Sequence, residues 1–95
     1  MGPVIADLVV TLLVFRAGGT YRATCPEFGV TASAGTVEDA RAEALRLVRR
    51  RVAALAGEGA LDAFLADAGF VVDCGVLRTG ERLVSATETT VTVPL

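Results

Sequence analysis

Residues 8–15, LVVTLLVF, form a nearly continuous apolar run rich in β-branched side chains. Eight residues is strand length, and unbroken apolarity suits a strand covered on both faces, so the run predicts a central strand. Gly18-Gly19 follows as a turn, since glycine tolerates the positive φ of tight hairpins. Over residues 21–25 the pattern becomes alternating. Tyr21, Ala23 and Cys25 share one face, and Arg22 and Thr24 the other. Pro26 cannot donate to a ladder and ends or bends this strand. Gly29 lets the chain turn back. Val30, Ala32 and Ala34 then alternate with Thr31 and Ser33, a third strand short and weakly apolar enough for a sheet edge.

At Gly35-Thr36 the period changes. Val37, Ala40, Ala44, Val48, Val52 and Leu55 recur at intervals of three and four, which makes one apolar stripe suited to lying on a sheet. Thr36 is a good N-cap, because its hydroxyl accepts from a first-turn amide. Glu38 and Asp39 stand where the helix dipole favours negative charge. Gly57 ends the helix. A second, shorter helix is predicted over residues 60–68, with Leu61, Phe64, Leu65 and Ala68 on one side. Gly69 suits the left-handed position after it, and Phe70 is placed to close that end against Leu65.

Residues 71–77 then read as a strand and 78–82 as a turn around Gly80, with an extra hairpin within 71–85 as the alternative. Residues 87–93, TETTVTV, read as a strand by composition and alternation, with Val91, Val93 and Leu95 on one face. The fold class is α+β: three antiparallel strands with a helix on one face, a short second helix and a returning C-terminal strand, in a single domain spanning residues 1–95. A last strand beside residues 8–15 would bury the first strand's ladder on both sides.

Length and composition bound the function. Ninety-five residues hide roughly 64% of the extended chain's surface on folding, enough for one modest core. A hydrophobic content of 53% and a mean hydropathy of +0.57 exclude disorder and are high for so small a domain, which points to a partner or to self-association. A net charge of −2 disfavours nonspecific nucleic-acid binding. All 9 basic residues are Arg, which genome composition explains more cheaply than function. Cys25 and Cys74 lie far apart, outside any CxxC pattern, and read as reduced, buried, small apolar residues. The apolar run over residues 4–15 is too short to span a bilayer, contains Asp7 and follows no positive charge. A soluble cytoplasmic protein is the expectation.

The chain offers no reactive cluster. It has no His, the commonest general base. Asp7, Glu27, Glu38, Asp39 and Glu43 would serve a two-metal nuclease only if they converged, whereas Glu38 and Asp39 are explained by the helix start and Glu43 by pairing with Arg46. Arg46, Arg49, Arg50 and Arg51 read as a solvated helix face near a negative dipole end, with RNA or an acidic protein as the rival. Cys25 has no visible base beside it. No catalytic residue, metal site or cofactor is assigned. The bend Pro26-Glu27-Phe28 is the one candidate partner-binding element: Phe28 there either plugs the end of the core or anchors a partner.

The order of these residues resembles the HicB-like antitoxins. Tyr21 and Ala23, then Pro26-Glu27-Phe28 and Gly29, then Thr31 and Ser33, then Gly35, Thr36, Glu38, Asp39 and Ala40 match that family's strand, bend, strand and helix opening. LDAFLADAGF over residues 61–70 looks like its second helix, and TVTVPL like its closing strand. The resemblance implies a partial ribonuclease-H-like domain without that enzyme's acidic site. It also implies a non-enzymatic protein that binds and masks a HicA-type toxin, a small mRNA-cleaving protein that uses a His. Many members add a DNA-binding module, which is not expected here, so DNA binding is not either. A homodimer or higher oligomer through a sheet edge or the second apolar face is expected. The rivals are a solitary regulator that binds RNA or a small ligand without a toxin, and a residual nuclease.

Overall fold

The computed structural model describes residues 7–81 and 83–94. The strands are β1 (Asp7–Leu8), β2 (Leu13–Ala17), β3 (Thr20–Cys25), β4 (Val30–Ala34), β5 (Phe70–Asp73) and β6 (Val76–Thr79). The helices are α1 (Val37–Gly57) and α2 (Leu61–Asp67). The fold is α+β, with two three-stranded sheets ordered β2-β3-β4 and β1-β6-β5.

The first sheet is antiparallel throughout, with Val14 opposite Ala23 and Ala23 opposite Ala32. Alternation sorts its faces. Ala23, Cys25 and Ala32 are buried, while Arg22, Thr31 and Ser33 face outward. Small residues at the centre of the buried face let the helix come close. Ala40 and Ala44 of α1 are fully buried against Ala23 and Ala32, with Leu12, Val14, Tyr21, Ala34 and Leu47 packed around them. The apolar stripe thus lies on the sheet, and Ala40, Ala44, Val48 and Leu55 are its buried members. Thr36 caps the helix as its position predicts: its Oγ1 accepts from the Asp39 amide at 3.1 Å.

Four expectations need correction. The apolar run over residues 8–15 is not one central strand. It divides, with Asp7–Leu8 pairing parallel to β6 and Leu13–Ala17 pairing antiparallel to β3. The run meets a neighbour on each side, but at different residues, so β3 is the central strand of its sheet. β2 is an edge, and Phe15 on it is 46% exposed. The returning strand, in turn, is not residues 87–93. Val76–Thr79 is the strand that returns beside the N-terminal segment, with Asp7 opposite Val76 and the Val9 amide donating to the Leu77 carbonyl at 2.8 Å. Residues 83–94 are exposed and in no strand. Alternation and β-propensity favour extended backbone, but only a partner edge turns it into a sheet strand. Leu95 lies outside the described residues.

The third correction concerns residues 71–82. The hairpin kept as the alternative is the one found: β5 and β6 pair antiparallel and turn at Cys74-Gly75, not at Gly80. Asp73 pairs with Val76, leaving two loop residues, with φ +52° at Cys74 and +83° at Gly75. Positive φ at both central positions is the type I′ arrangement that suits the twist of a two-residue hairpin. Cys74 is consequently exposed rather than buried, because the turn carries it away from the core. Arg82 lies outside the described residues.

The glycine that ends helix α2 is left-handed, as its position predicts. Gly69 takes φ +84° and donates to the Ala66 carbonyl at 3.1 Å. Phe70 is then buried, and its ring centroid lies 6.1 Å from that of Phe28.

A side chain at φ +52° is disfavoured for every residue but glycine, and least for asparagine. Cys74→Asn should therefore stabilise the chain, by about 0.5–1 kcal/mol. Urea denaturation of the two proteins measures the difference.

Candidate functional site

The bend between β3 and β4 carries Pro26, Glu27 and Phe28 and is the centre of the candidate site. Two backbone hydrogen bonds close it: the Phe28 amide donates to the Cys25 carbonyl and the Gly29 amide to the Pro26 carbonyl, each at 3.3 Å. Pro26 is exposed on its tip, while Glu27 and Phe28 are half-buried.

Phe28 turns toward the second half of the chain. Its ring stacks on Phe64 at 5.2 Å between centroids with an interplanar angle of 27°, and tilts against Phe70. These three rings join the β3–β4 bend to α2 and to the start of β5. Arg51 of α1 lies over the Phe64 ring at 5.8 Å. Of the two roles the sequence leaves open for Phe28, the packing contact is the one observed. Offset aromatic pairs of this kind contribute about 0.5–1.5 kcal/mol beyond the area they bury.

Glu27 turns the other way. Its Oε1 accepts from the Thr11 amide at 2.9 Å and from the Cys25 thiol at 3.4 Å. Thr11 lies in the break between β1 and β2, so the carboxylate pins the divided apolar run where it crosses from one sheet to the other. Burial on its own would raise the Glu27 carboxyl, but the Thr11 and Cys25 hydrogen bonds outweigh it and leave the group below its ordinary value. The same geometry acts in reverse on Cys25. Burial, helped by the nearby Glu27 carboxylate, pushes its thiol up to about 11 against the opposing Phe28 amide. Cys25 is therefore a neutral, buried thiol, without the thiolate character that a nucleophile needs.

An open groove of about 780 Å³ lies beside Glu27 where the two sheets diverge. Thr11, Leu13, Pro26 and Glu27 form one wall, and Gly69, Thr79, Gly80 and Leu83 belong to the other. A smaller cleft of about 240 Å³ continues past Glu27 toward Arg78. The Arg78 Nε is buried there with no hydrogen-bond partner among the described residues. The sequence singled out the bend that carries Glu27 but neither the groove nor Arg78, whose place follows from the parallel pairing of β6 with β1.

The other acidic and basic residues are not brought to this site. Asp7 is exposed on β1, and Glu38 and Asp39 stand in the first turn of α1. Glu43 pairs with Arg46 one turn along, at 3.1 Å to Nε and 2.5 Å to Nη2. Arg49, Arg50 and Arg51 are exposed on the later half of that helix. Among the described residues, no group of three or more His, Cys, Asp or Glu is placed to hold a metal ion, and no helix is long and apolar enough to cross a membrane.

No family model matches the chain, and neither a curated protein nor a solved structure matches it. The HicB-like resemblance therefore rests on the order of its own residues.

Two measurements test the geometry around Glu27. In the native protein a thiol reagent should modify Cys74 at once and Cys25 only after denaturant is added, so titration counts one free thiol before unfolding and two after. Glu27→Ala should lower stability near pH 7 by about 0.5–1 kcal/mol, a value discounted for the exposure of the carboxylate. A carboxyl held low in the folded chain stabilises it above the unfolded-state value, and that contribution fades as pH falls through the folded-state value. The gap between parent and variant should accordingly close below about pH 4, as read by urea denaturation at a series of pH values.

Proposed function

We propose that this chain is a non-catalytic, HicB-like antitoxin-type protein that binds and masks a small HicA-type mRNA-cleaving toxin in the cytoplasm. The groove beside the Pro26-Glu27-Phe28 bend is the observation that carries this reading. Its wall is preorganised, with Glu27 held by the Thr11 amide and Phe28 stacked on Phe64, and a rigid wall loses little entropy when a partner docks. Pro26 is exposed at the groove's rim, and the Glu27 carboxylate gives it an acidic point suited to a basic, RNA-handling protein. Within residues 13–67 the element order supports the same reading: three antiparallel strands, a long helix and a short helix.

A second reading draws on α1. Arg49 and Arg50 are exposed and enter no ion pair among the described residues, and Arg51 lies over Phe64. A basic face next to an aromatic ring suits a solitary regulator that binds RNA.

Affinity purification of the chain from its own cells separates these readings. Masking predicts that a small basic protein co-purifies, that its expression alone arrests growth, and that Glu27→Lys weakens capture at least tenfold while the variant's thermal unfolding stays cooperative. Recovery of RNA in place of a protein supports the regulator. Magnesium-dependent RNA cleavage by the purified chain overturns both.

A further inference from the structure

The molecule exposes far more surface than its mass requires. A compact chain of 9.8 kDa presents about 5,200 Å², whereas this one presents 7168 Å². Its radius of gyration is 16.4 Å, against about 12 Å for a compact domain of this length, and its longest dimension is 63 Å. The excess of roughly 2,000 Å² on one chain is more than the ~800 Å² that each partner of a standard interface buries.

Residues 83–94 add to this surface. They are exposed throughout and make no hydrogen bond among the described residues. Val84 is 93% exposed, Val91 75% and Val93 60%. Leaving so much β-branched apolar surface in water is unfavourable by about 25 cal/mol for each Å². Residues 87–93 nevertheless have what a strand needs: alternation, β-branched side chains and no proline before Pro94. They lack only an edge.

Such an edge exists on β2. Among the described residues it is hydrogen-bonded to β3 on one side only, leaving every second amide and carbonyl on the other side without a strand partner. Its outward side chains Leu13 and Phe15 match the Val-rich face of residues 87–93, whereas the outward side chains of the opposite edge strand, β4, are Thr31 and Ser33. Charge agrees as well. Glu88 is the sole charged residue between positions 83 and 94, and exposed Arg16 is the sole charged residue of β2.

We propose that residues 87–93 of one copy add as a fourth strand to the free β2 edge of a second copy, and reciprocally, giving a two-fold dimer by strand exchange. Seven residues span about 23 Å, longer than the five-residue edge they cover. Reciprocal exchange closes both edges at once, which halts further assembly. Because these residues belong to no strand and no buried cluster of the single chain, exchange opens no existing core. The inference is independent of what the groove beside Glu27 binds.

The full-length chain and its Val91→Pro variant test this, since proline removes an amide and disrupts strand pairing without touching the packed core. Sedimentation equilibrium at micromolar concentration should return twice the 9.8 kDa chain mass for the parent and the single mass for the variant. Hydrogen exchange should show amides 87–93 protected at least tenfold in the parent and unprotected in the variant, with β3 and α1 protected in both. A monomeric parent overturns the proposal, and protected amides in that monomer would mean that the segment pairs within its own chain. A variant that remains dimeric overturns it too, because another surface then joins the copies.

Discussion

The close approach of α1 to the antiparallel sheet is the constraint on which the rest of this structure depends. Ala40 and Ala44 meet Ala23 and Ala32 with almost no exposed surface at any of the four. Alanine contacts bring backbones together but bury little area for each residue, and among the described residues the buried set adds only Val48, Leu55 and Phe70 as larger aliphatic or aromatic side chains. A core of this kind is thin. It positions elements well, and it leaves much of the apolar content of a 53% hydrophobic chain on or near the surface.

Two polar and aromatic devices compensate at the margin of that core. Glu27 reaches across from the β3–β4 bend to the Thr11 amide, where the apolar run leaves one sheet for the other. Phe28, the next residue, packs on Phe64 and close to Phe70. Adjacent side chains of a single bend thus tie the first sheet to the N-terminal crossing on one side and to α2 and β5 on the other. The groove beside Glu27 follows from the same arrangement: parallel pairing holds β1 and β6 together at Asp7–Leu8, and the chains separate beyond it. Functional use of this bend is therefore coupled to structure. A partner that displaced Glu27 from Thr11 would loosen the crossing, whereas one that met it from the groove would leave the crossing intact.

Exposed apolar surface takes two forms here. Val71 and Val72 belong to a paired strand and lack only a covering layer, while Val84, Val91 and Val93 lie on backbone that has no ladder at all. The second kind carries unmet hydrogen-bonding capacity as well as apolar area, and for that reason it points to strand addition rather than to face-to-face packing.

Periodicity alone determined much of this protein. The alternation over residues 21–34, the stripe from Val37 to Leu55, the Thr36 cap and the left-handed Gly69 are all local: each depends on neighbours within a few residues, and each takes the expected form. The Pro26-Glu27-Phe28 bend was legible too, because proline stops a ladder wherever it falls. Only the tertiary structure decided where the apolar run over residues 8–15 divides, that β3 rather than that run is central, and that Val76–Thr79 rather than residues 87–93 returns beside the N-terminal segment. It also decided that Cys74 sits in a turn and that Arg78 faces Glu27's cleft. The reason is physical. A strand is completed by an edge that lies far away in sequence, and two segments of equal β-propensity compete for that edge through geometry that neither encodes by itself.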